Sequence, residues 1–125
     1  MLSIAQTNTI LYCRKWTETV AFYRDTLGLP VIVEKDWFVE FLLAADSYIS
    51  VADVRRASIA SADGAGITLA WRVTDVGRSR DFLLAQGVEV TTIKDRWGAK
   101  VAYLHDPEGN RIELWEKVVK HDYDD

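Results

Sequence analysis

The alternation of apolar and polar positions in the first half of the chain predicts one strand, one helix and three further strands. Residues 7–13 alternate with the period of two that is typical of a half-buried strand, and residues 17–27 carry apolar side chains at helical spacing. Gly28 follows as a helix stop. The three strands are predicted at residues 29–34, 37–43 and 48–54.

The second half of the chain repeats this order. Residues 67–73 alternate, Asp75 is placed to cap a helix, and Gly87 is placed to end it. The helix is expected to turn three apolar side chains inward: Phe82, Leu83 and Leu84. Three strands follow at residues 88–94, 100–105 and 111–117. The pattern therefore predicts an α+β protein built from two βαβββ modules.

The two halves match as a pattern. A shift of about 60 positions superposes Asn8 on Thr68 and Phe22 on Phe82. We expect module 1 at about residues 5–56 and module 2 at about 65–118, inside a single domain of residues 1–125, with an Ala-, Ser- and Gly-rich connector between them. Since each curved sheet has its helix on one face only, we expect a cup-like cavity between the two sheets.

A tight turn joins the last two predicted strands. Asp106 can accept backbone donors, Pro107 sets φ at the second turn position, and Gly109 allows the positive φ that reverses the chain. After the turn, one face of the strand carries Ile112 and Leu114, which we expect to face the helix. The other face carries Arg111, Glu113 and Trp115.

Composition and charge narrow the class of protein. A chain of 125 residues with 49% hydrophobic and 27% charged residues is long enough for one globular core. A net charge of −4 argues against a nucleic-acid partner. The first residues lack a secretory signal and no stretch is long and apolar enough for a membrane span, so we expect a cytoplasmic protein without a membrane partner. The single cysteine, Cys13, is expected to be a buried hydrophobic residue.

Two segments resemble the vicinal oxygen chelate superfamily, which includes glyoxalase I, bleomycin-resistance proteins and extradiol dioxygenases. They are Ala21-Phe22-Tyr23-Arg24-Asp25-Thr26-Leu27-Gly28-Leu29, and His105-Asp106-Pro107-Glu108-Gly109-Asn110-Arg111-Ile112-Glu113-Leu114. The resemblance implies paired βαβββ modules that form a cup, usually in a homodimer. It does not choose between isomerases, dioxygenases and non-catalytic binding proteins, because all of these share the fold.

Metal-dependent members of the superfamily place ligands on the first and last strands of each module. Those positions correspond here to Asn8, Ser50, Thr68 and Glu113. Only Glu113 is a good ligand, because an amide and two hydroxyls are weak donors. His105 is interpreted as a rim residue and His121 as part of an acidic tail. We therefore expect no metal and no cofactor.

The expected lining of the cavity combines aromatic and polar side chains. The candidate ligand-binding residues are Asn8, Tyr12, Ser50, Thr68, Arg72, Trp97, Arg111, Glu113 and Trp115. Trp37, Phe41 and Tyr48 are further aromatic candidates whose direction the pattern leaves open. Tyr12, Trp97 and Trp115 fit a structural role as well as a binding role. Glu113 fits a salt bridge with Arg72 or Arg111 as well as ligand recognition.

Three functions remain open at this point. The first is a metal-independent small-molecule-binding protein, similar to the bleomycin-resistance branch, that sequesters an aromatic or cationic compound. The second is an isomerase, lyase or dioxygenase that uses Glu113 as base or metal ligand. The third is a structural or regulatory module without a small ligand.

Overall fold

The computed structural model describes residues 1–118, and His121 lies outside them. Within the described residues, eight strands and two α-helices follow the predicted order. They are β1 (Thr7–Cys13), α1 (Trp16–Ala21), β2 (Val31–Glu34), β3 (Phe38–Ala44), β4 (Ser47–Asp53), β5 (Thr68–Arg72), α2 (Val76–Ala85), β6 (Lys94–Arg96), β7 (Ala99–His105) and β8 (Arg111–Lys117). The predicted α+β class with two βαβββ repeats is confirmed. In the described part of the chain, no helix combines the length and the hydropathy needed to cross a membrane.

The strands form two four-stranded sheets with the same topology. Sheet 1 has the order β1-β4-β3-β2, and sheet 2 has the order β5-β8-β7-β6. In each sheet the first and last strands of the repeat pair in parallel and the other neighbours are antiparallel. The chain divides into two compact units: unit 1 holds residues 1–65 and 106–109, and unit 2 holds residues 66–105 and 110–118.

The core of unit 1 lies between helix α1 and one face of sheet 1. The helix packs against β1 and β4. Tyr23 is fully buried, with its ring centroid 5.2 Å from that of Phe22 and 6.0 Å from that of Phe41. Leu11 and Val51 are buried on the same face of the sheet. Phe41 is therefore a core residue and leaves the group of binding candidates.

The first helix is not the single α-helix predicted over residues 17–27. It is α-helical to Ala21 and continues as a π-helical segment, Phe22–Thr26, in which the Leu27 amide donates to the Phe22 carbonyl over 2.9 Å. A π segment widens the turn by one residue. Both Phe22 and Tyr23 are buried in this segment. Hydrophobic spacing cannot distinguish this short segment from a continued α-helix.

The turn between β7 and β8 belongs to unit 1 and interacts with the start of α1. The Glu108 carboxylate is buried and accepts hydrogen bonds from the amides of Arg14 and Lys15, both at 2.8 Å, and from the Ser61 hydroxyl at 2.5 Å. Asp106 accepts from the Tyr23 hydroxyl at 2.7 Å and from the Glu108 amide at 3.0 Å. The predicted turn chemistry is present, and the Glu108 carboxylate also binds the two backbone amides that immediately precede α1, about 90 residues away in sequence.

Helix α2 in unit 2 begins where the pattern predicted. The Asp75 carboxylate accepts from the Arg78 amide over 2.9 Å, and the Glu116 carboxylate accepts from the Val76 amide over 2.9 Å. The expected burial of Phe82 and Leu84 is wrong, because these side chains are 49% and 42% exposed. The buried residues of α2 are Val76 and Leu83. A helix that packs against β7 and β8 along a narrow stripe buries fewer positions than an apolar run suggests.

Strand β6 is shorter and later than the predicted strand at residues 88–94. The Thr91 amide donates to the Tyr103 carbonyl over 3.0 Å, but the Tyr103 amide donates to the Thr91 hydroxyl over 2.9 Å. Because a side-chain oxygen replaces the backbone carbonyl, a regular ladder does not form there. Pairing becomes regular only at Lys94, opposite Val101.

Candidate functional site

Each sheet has a helix face, which packs against the helix of its own unit, and an opposite face. On the opposite face of sheet 1, three polar side chains are joined by hydrogen bonds. The Ser50 hydroxyl donates to the Asn8 side-chain carbonyl over 2.9 Å, and the Asn8 amide group donates to Glu40 over 3.3 Å. Ser50 is fully buried and Glu40 is partly exposed. Two sequence-predicted site residues are thus brought together with a third polar residue.

The opposite face of sheet 2 carries a second polar cluster. The Tyr103 hydroxyl donates to Glu113 over 3.0 Å, and the Arg111 guanidinium donates to the Thr68 hydroxyl over 2.8 Å. The guanidinium carbon of Arg111 also lies 4.8 Å from the centroid of the Tyr103 ring, a cation–π distance. Thr68, Arg111 and Glu113, predicted from the sequence, therefore meet around Tyr103.

The two clusters occupy equivalent positions in the two repeats. Glu40 pairs directly with Ser50 across β3 and β4, as Tyr103 pairs with Glu113 across β7 and β8. Ser50 lies opposite Ile10, two residues after Asn8, and Glu113 lies opposite Ala70, two residues after Thr68. The internal duplication therefore extends from the backbone to the polar side chains of the opposite faces.

The partner of Glu113 differs from the one expected. Within the described residues Glu113 forms no ion pair with Arg72 or Arg111, and its hydrogen-bond partner is the phenol of Tyr103. This hydrogen bond raises the pKa of Tyr103 above its usual value of 10, and the nearby Arg111 and Arg96 act in the opposite direction. Tyr103 is therefore a neutral donor at physiological pH and leaves the second Glu113 oxygen for another partner.

Neither cluster has the donor atoms that a transition metal requires. Sheet 1 contributes an amide, a hydroxyl and Glu40, and sheet 2 contributes a hydroxyl and Glu113. Both clusters lack an imidazole and a thiolate. One carboxylate with neutral oxygens compensates for little of the free energy that a cation loses when it gives up its hydration water. In residues 1–118, His, Cys, Asp and Glu form no group of three or more that could hold a metal ion. The residues at the superfamily's metal positions do not fit a metal.

The other candidate residues lie at different depths. Tyr12 and Trp115 are partly exposed on the opposite faces of sheets 1 and 2. Arg72 is exposed beside Trp115, its register partner. Trp97 is 99% exposed at the tip of the β6–β7 hairpin with a φ of 47°, and it contacts neither cluster. Gly98 follows with a φ of 75°, so the turn has the two positive φ values of a tight hairpin.

Glu40 and Tyr103 were missed by the sequence reasoning. Glu40 is the only charged residue in β3, Phe38–Ala44, and an isolated carboxylate in an otherwise apolar strand is a usable signal. Tyr103 is two residues from His105 and pairs directly with Glu113. Both could be found by pairing the strands in register and asking which residues lie opposite Ser50 and Glu113.

Unit 1 also contains a surface depression away from the clusters. It has a volume of about 370 Å³ and is lined by Arg14, Val54 and residues 57–61. The guanidinium of Arg14 pairs with Asp63, and the Ser61 hydroxyl donates to Glu108. Because these polar groups already have partners in the turn network, the depression is a weaker site candidate than the sheet faces.

Comparison with known proteins agrees with this fold. A protein of Bacillus subtilis (strain 168), the uncharacterized protein YraH, is 25% identical over 121 residues, which cover 86% of this chain and 94% of YraH. TnmS3, an antibiotic-binding protein from Streptomyces sp. CB03234, superposes with a TM-score of 0.78 at 20% identity, covering 94% of this chain and 98% of TnmS3. Lactoylglutathione lyase from Agrobacterium tumefaciens superposes with a TM-score of 0.74 at 23% identity, covering 91% of this chain and 94% of the lyase.

The structural neighbours include a binding protein and an enzyme, so they establish the fold and leave the activity open. The family model that matches the sequence covers residues 3–114, nearly the whole chain. The chain therefore belongs to the Glyoxalase/Bleomycin resistance protein/Dioxygenase superfamily.

Proposed function

We propose that the protein is a metal-independent small-molecule-binding protein that sequesters an aromatic compound on the opposite faces of its sheets. The observation that carries this proposal is the composition of those faces. Partly exposed aromatic side chains share these faces with the polar clusters: Tyr12, Phe38 and Tyr48 on sheet 1, and Tyr103 and Trp115 on sheet 2. Flat apolar rings beside a few hydrogen-bonding groups are typical of sites for organic ligands.

Two further points support binding over a filled, structural interior. Asn8 is exposed and Glu40, Thr68, Glu113 and Trp115 are partly exposed, so these side chains keep surface available to a ligand. Family membership adds support, since TnmS3, which has the same fold, is an antibiotic-binding protein. The poor metal donors of both clusters support a function that needs no metal.

Titration with a neutral aromatic probe, 2-naphthamide, tests this proposal. Isothermal titration calorimetry is expected to give saturable binding that EDTA leaves unchanged. Trp115→Ala should weaken binding by about tenfold, which corresponds to about 1.4 kcal/mol. Phe82→Ala removes a half-exposed aromatic ring from α2 and is the matched control, with affinity expected to stay unchanged. Equal losses in the two variants, or binding only after a transition metal is added, would contradict the proposal.

A second candidate function is an enzyme that uses Glu113 as a base. The hydrogen bond between Tyr103 and Glu113 favours it, because Glu113 can take a proton on its second oxygen, after which the phenol O–H can turn from the neutral acid to the developing negative charge on the substrate. The test is deuterium exchange next to the carbonyl of phenylacetone in D₂O, followed by proton NMR. Exchange faster than in buffer that is lost in Glu113→Gln supports catalysis. Exchange at the buffer rate supports binding alone.

The proposal also includes a homodimer, as the family resemblance implies. Light scattering should then give a mass of about twice the 14.2 kDa of the chain. A mass equal to that of one chain across micromolar concentrations would exclude a stable dimer.

A further inference from the structure

The opposite face of sheet 2 carries an excess of positive charge. Strand register places five basic side chains on the same face as Glu113 and Trp115, and all five are exposed. They are Arg72, Lys94, Arg96, Arg111 and Lys117. His105, which pairs with Arg111, lies on this face as well. The only carboxylate on this face within the described strands is Glu113, which already accepts a hydrogen bond from Tyr103.

Among the residues that the structure describes, these five cations form no ion pair with a carboxylate. Within residues 1–118, the ion pairs that do form involve Arg14, Arg24, Arg55, Arg56 and Arg78. The acidic residues of the neighbouring strand positions face the other way: Asp95 and Glu116 both lie in register with Lys100 on the helix face, and Glu116 caps α2. The positive charge of this face is therefore not neutralised within its own sheet.

Arg72 and Trp115 form the most specific feature of the face. They lie directly opposite each other in the parallel pair of β5 and β8, so an exposed Arg side chain and a partly exposed Trp side chain project from neighbouring positions on one face. A guanidinium binds a carboxylate or phosphate through two parallel hydrogen bonds, and an indole stacks with a flat ring. One molecule that carries both an anionic group and an aromatic ring can use the two side chains together.

We propose that the ligand of this protein is a small aromatic anion, with its anionic group bound by Arg72 and its ring on Trp115. This inference rests on the proposed binding function and adds the charge of the ligand. The proposed negative charge of the ligand is the opposite of the one that the net charge of the protein suggests. A net charge of −4 favours a cationic compound at long range. At contact distance the side chains of the binding face determine the preference, because interactions beyond about 10 Å are largely screened at 0.1 M salt.

Three probes of the same shape test the sign of the charge: 2-naphthoate, 2-naphthamide and 2-naphthylmethylammonium. Calorimetry is expected to show that 2-naphthoate binds at least about tenfold more tightly than the neutral amide, and the ammonium compound more weakly than the amide. Arg72→Gln should reduce the affinity for 2-naphthoate by about tenfold and leave that for 2-naphthamide unchanged. Arg56→Gln, which removes the same charge from unit 1, is the matched control and should change neither.

The outcomes separate this inference from the proposed function. If 2-naphthamide binds through Trp115 but 2-naphthoate binds no better, or if the ammonium compound binds best, the inference is wrong and the binding function stands. If none of the three binds at about 1 mM, both fail. Equal losses of 2-naphthoate affinity in Arg72→Gln and Arg56→Gln would also overturn the inference. Such a result would indicate general electrostatic attraction rather than binding of the anionic group by Arg72. Displacement of 2-naphthoate by a short single-stranded oligonucleotide at lower concentration would indicate a nucleic-acid ligand instead.

Discussion

Replacing Glu108 with Gln tests the role of the β7–β8 turn in the stability of unit 1. The carboxylate is 6% exposed, with one oxygen accepting from the Arg14 amide and the Ser61 hydroxyl and the other accepting from the Lys15 amide. Gln has the same shape but only one acceptor oxygen. The NH₂ group of the new side chain would therefore point at the backbone N–H of Arg14 or Lys15. Two donors would then face each other and could not form a hydrogen bond.

The size of the effect follows from these three hydrogen bonds. A hydrogen bond to a charged group contributes about 1.5–3 kcal/mol, and a neutral one about 1 kcal/mol. Glu108→Gln loses one bond and weakens the remaining two, so we expect the free energy of unfolding to fall by about 2–4 kcal/mol. With a urea m-value of about 2 kcal/mol/M, the midpoint of unfolding should fall by roughly 1–2 M.

The loss of unfolding free energy in Glu108→Gln should depend on pH. Burial raises the pKa of Glu108, but the hydrogen bonds from Ser61, Arg14 and Lys15 outweigh it and hold the pKa below 4.5. Because the pKa is lower in the folded state, the stabilisation is complete above the unfolded pKa and is lost as pH falls through the folded value. The difference in stability between wild type and Glu108→Gln should therefore be largest at neutral pH and shrink below about pH 4.5.

Urea unfolding followed by circular dichroism, at neutral pH and near pH 4, measures both effects. Glu89→Gln removes an exposed carboxylate and should change stability by less than about 0.5 kcal/mol. Equal stability of Glu108→Gln and Glu89→Gln at neutral pH would show that the buried carboxylate does not stabilise unit 1. A difference from wild type that grows as the pH falls would contradict the lowered pKa of Glu108.

Three further predictions concern single positions. Gly109→Ala should cost about 2–4 kcal/mol in unfolding free energy, because φ is 99° and a Cβ there would lie 2.8 Å from the Asp63 carbonyl oxygen. Gly98→Ala, with a φ of 75° and open space around it, should cost only about 1 kcal/mol, and equal costs would contradict the clash. Asp75→Ala should lower stability by about 1 kcal/mol by removing the cap of α2, and an unchanged urea midpoint would argue against this cap. Burial, with a contribution from the Glu108 charge, raises the pKa of Cys13 to about 12, so a thiol reagent near pH 8 should label it only after unfolding.

Most of the fold could be predicted because its signals are local. The pattern of apolar and polar residues located six strands, β1, β3, β4, β5, β7 and β8, to within one residue at each end, and Asp75 and Gly87 marked the ends of α2. The π-helical segment and the late start of β6 could not be predicted. Each is marked by a hydrogen bond, from Leu27 to Phe22 and from Tyr103 to Thr91, that leaves no periodic trace in the sequence.

The candidate site was predicted only in part. Period-two alternation assigned Asn8, Thr68 and Glu113 to the faces they occupy. The identity of the Glu113 partner required the register between β7 and β8, since a slip of one residue would turn Tyr103 to the other face. The excess positive charge on sheet 2 needed the same information, because five basic residues scattered over three strands, β5, β6 and β8, form a group only after pairing.

The placement of residues 106–109 in unit 1 affects how the chain matures during synthesis. When a ribosome has released residues 1–65, the amides of Arg14 and Lys15 still lack the acceptor that Glu108 provides 93 or 94 positions later. The nascent amino-terminal half therefore cannot complete its own hydrogen bonding, and contacts between such distant positions form slowly. Final consolidation of unit 1 has to wait until residues 106–109 have emerged from the exit tunnel.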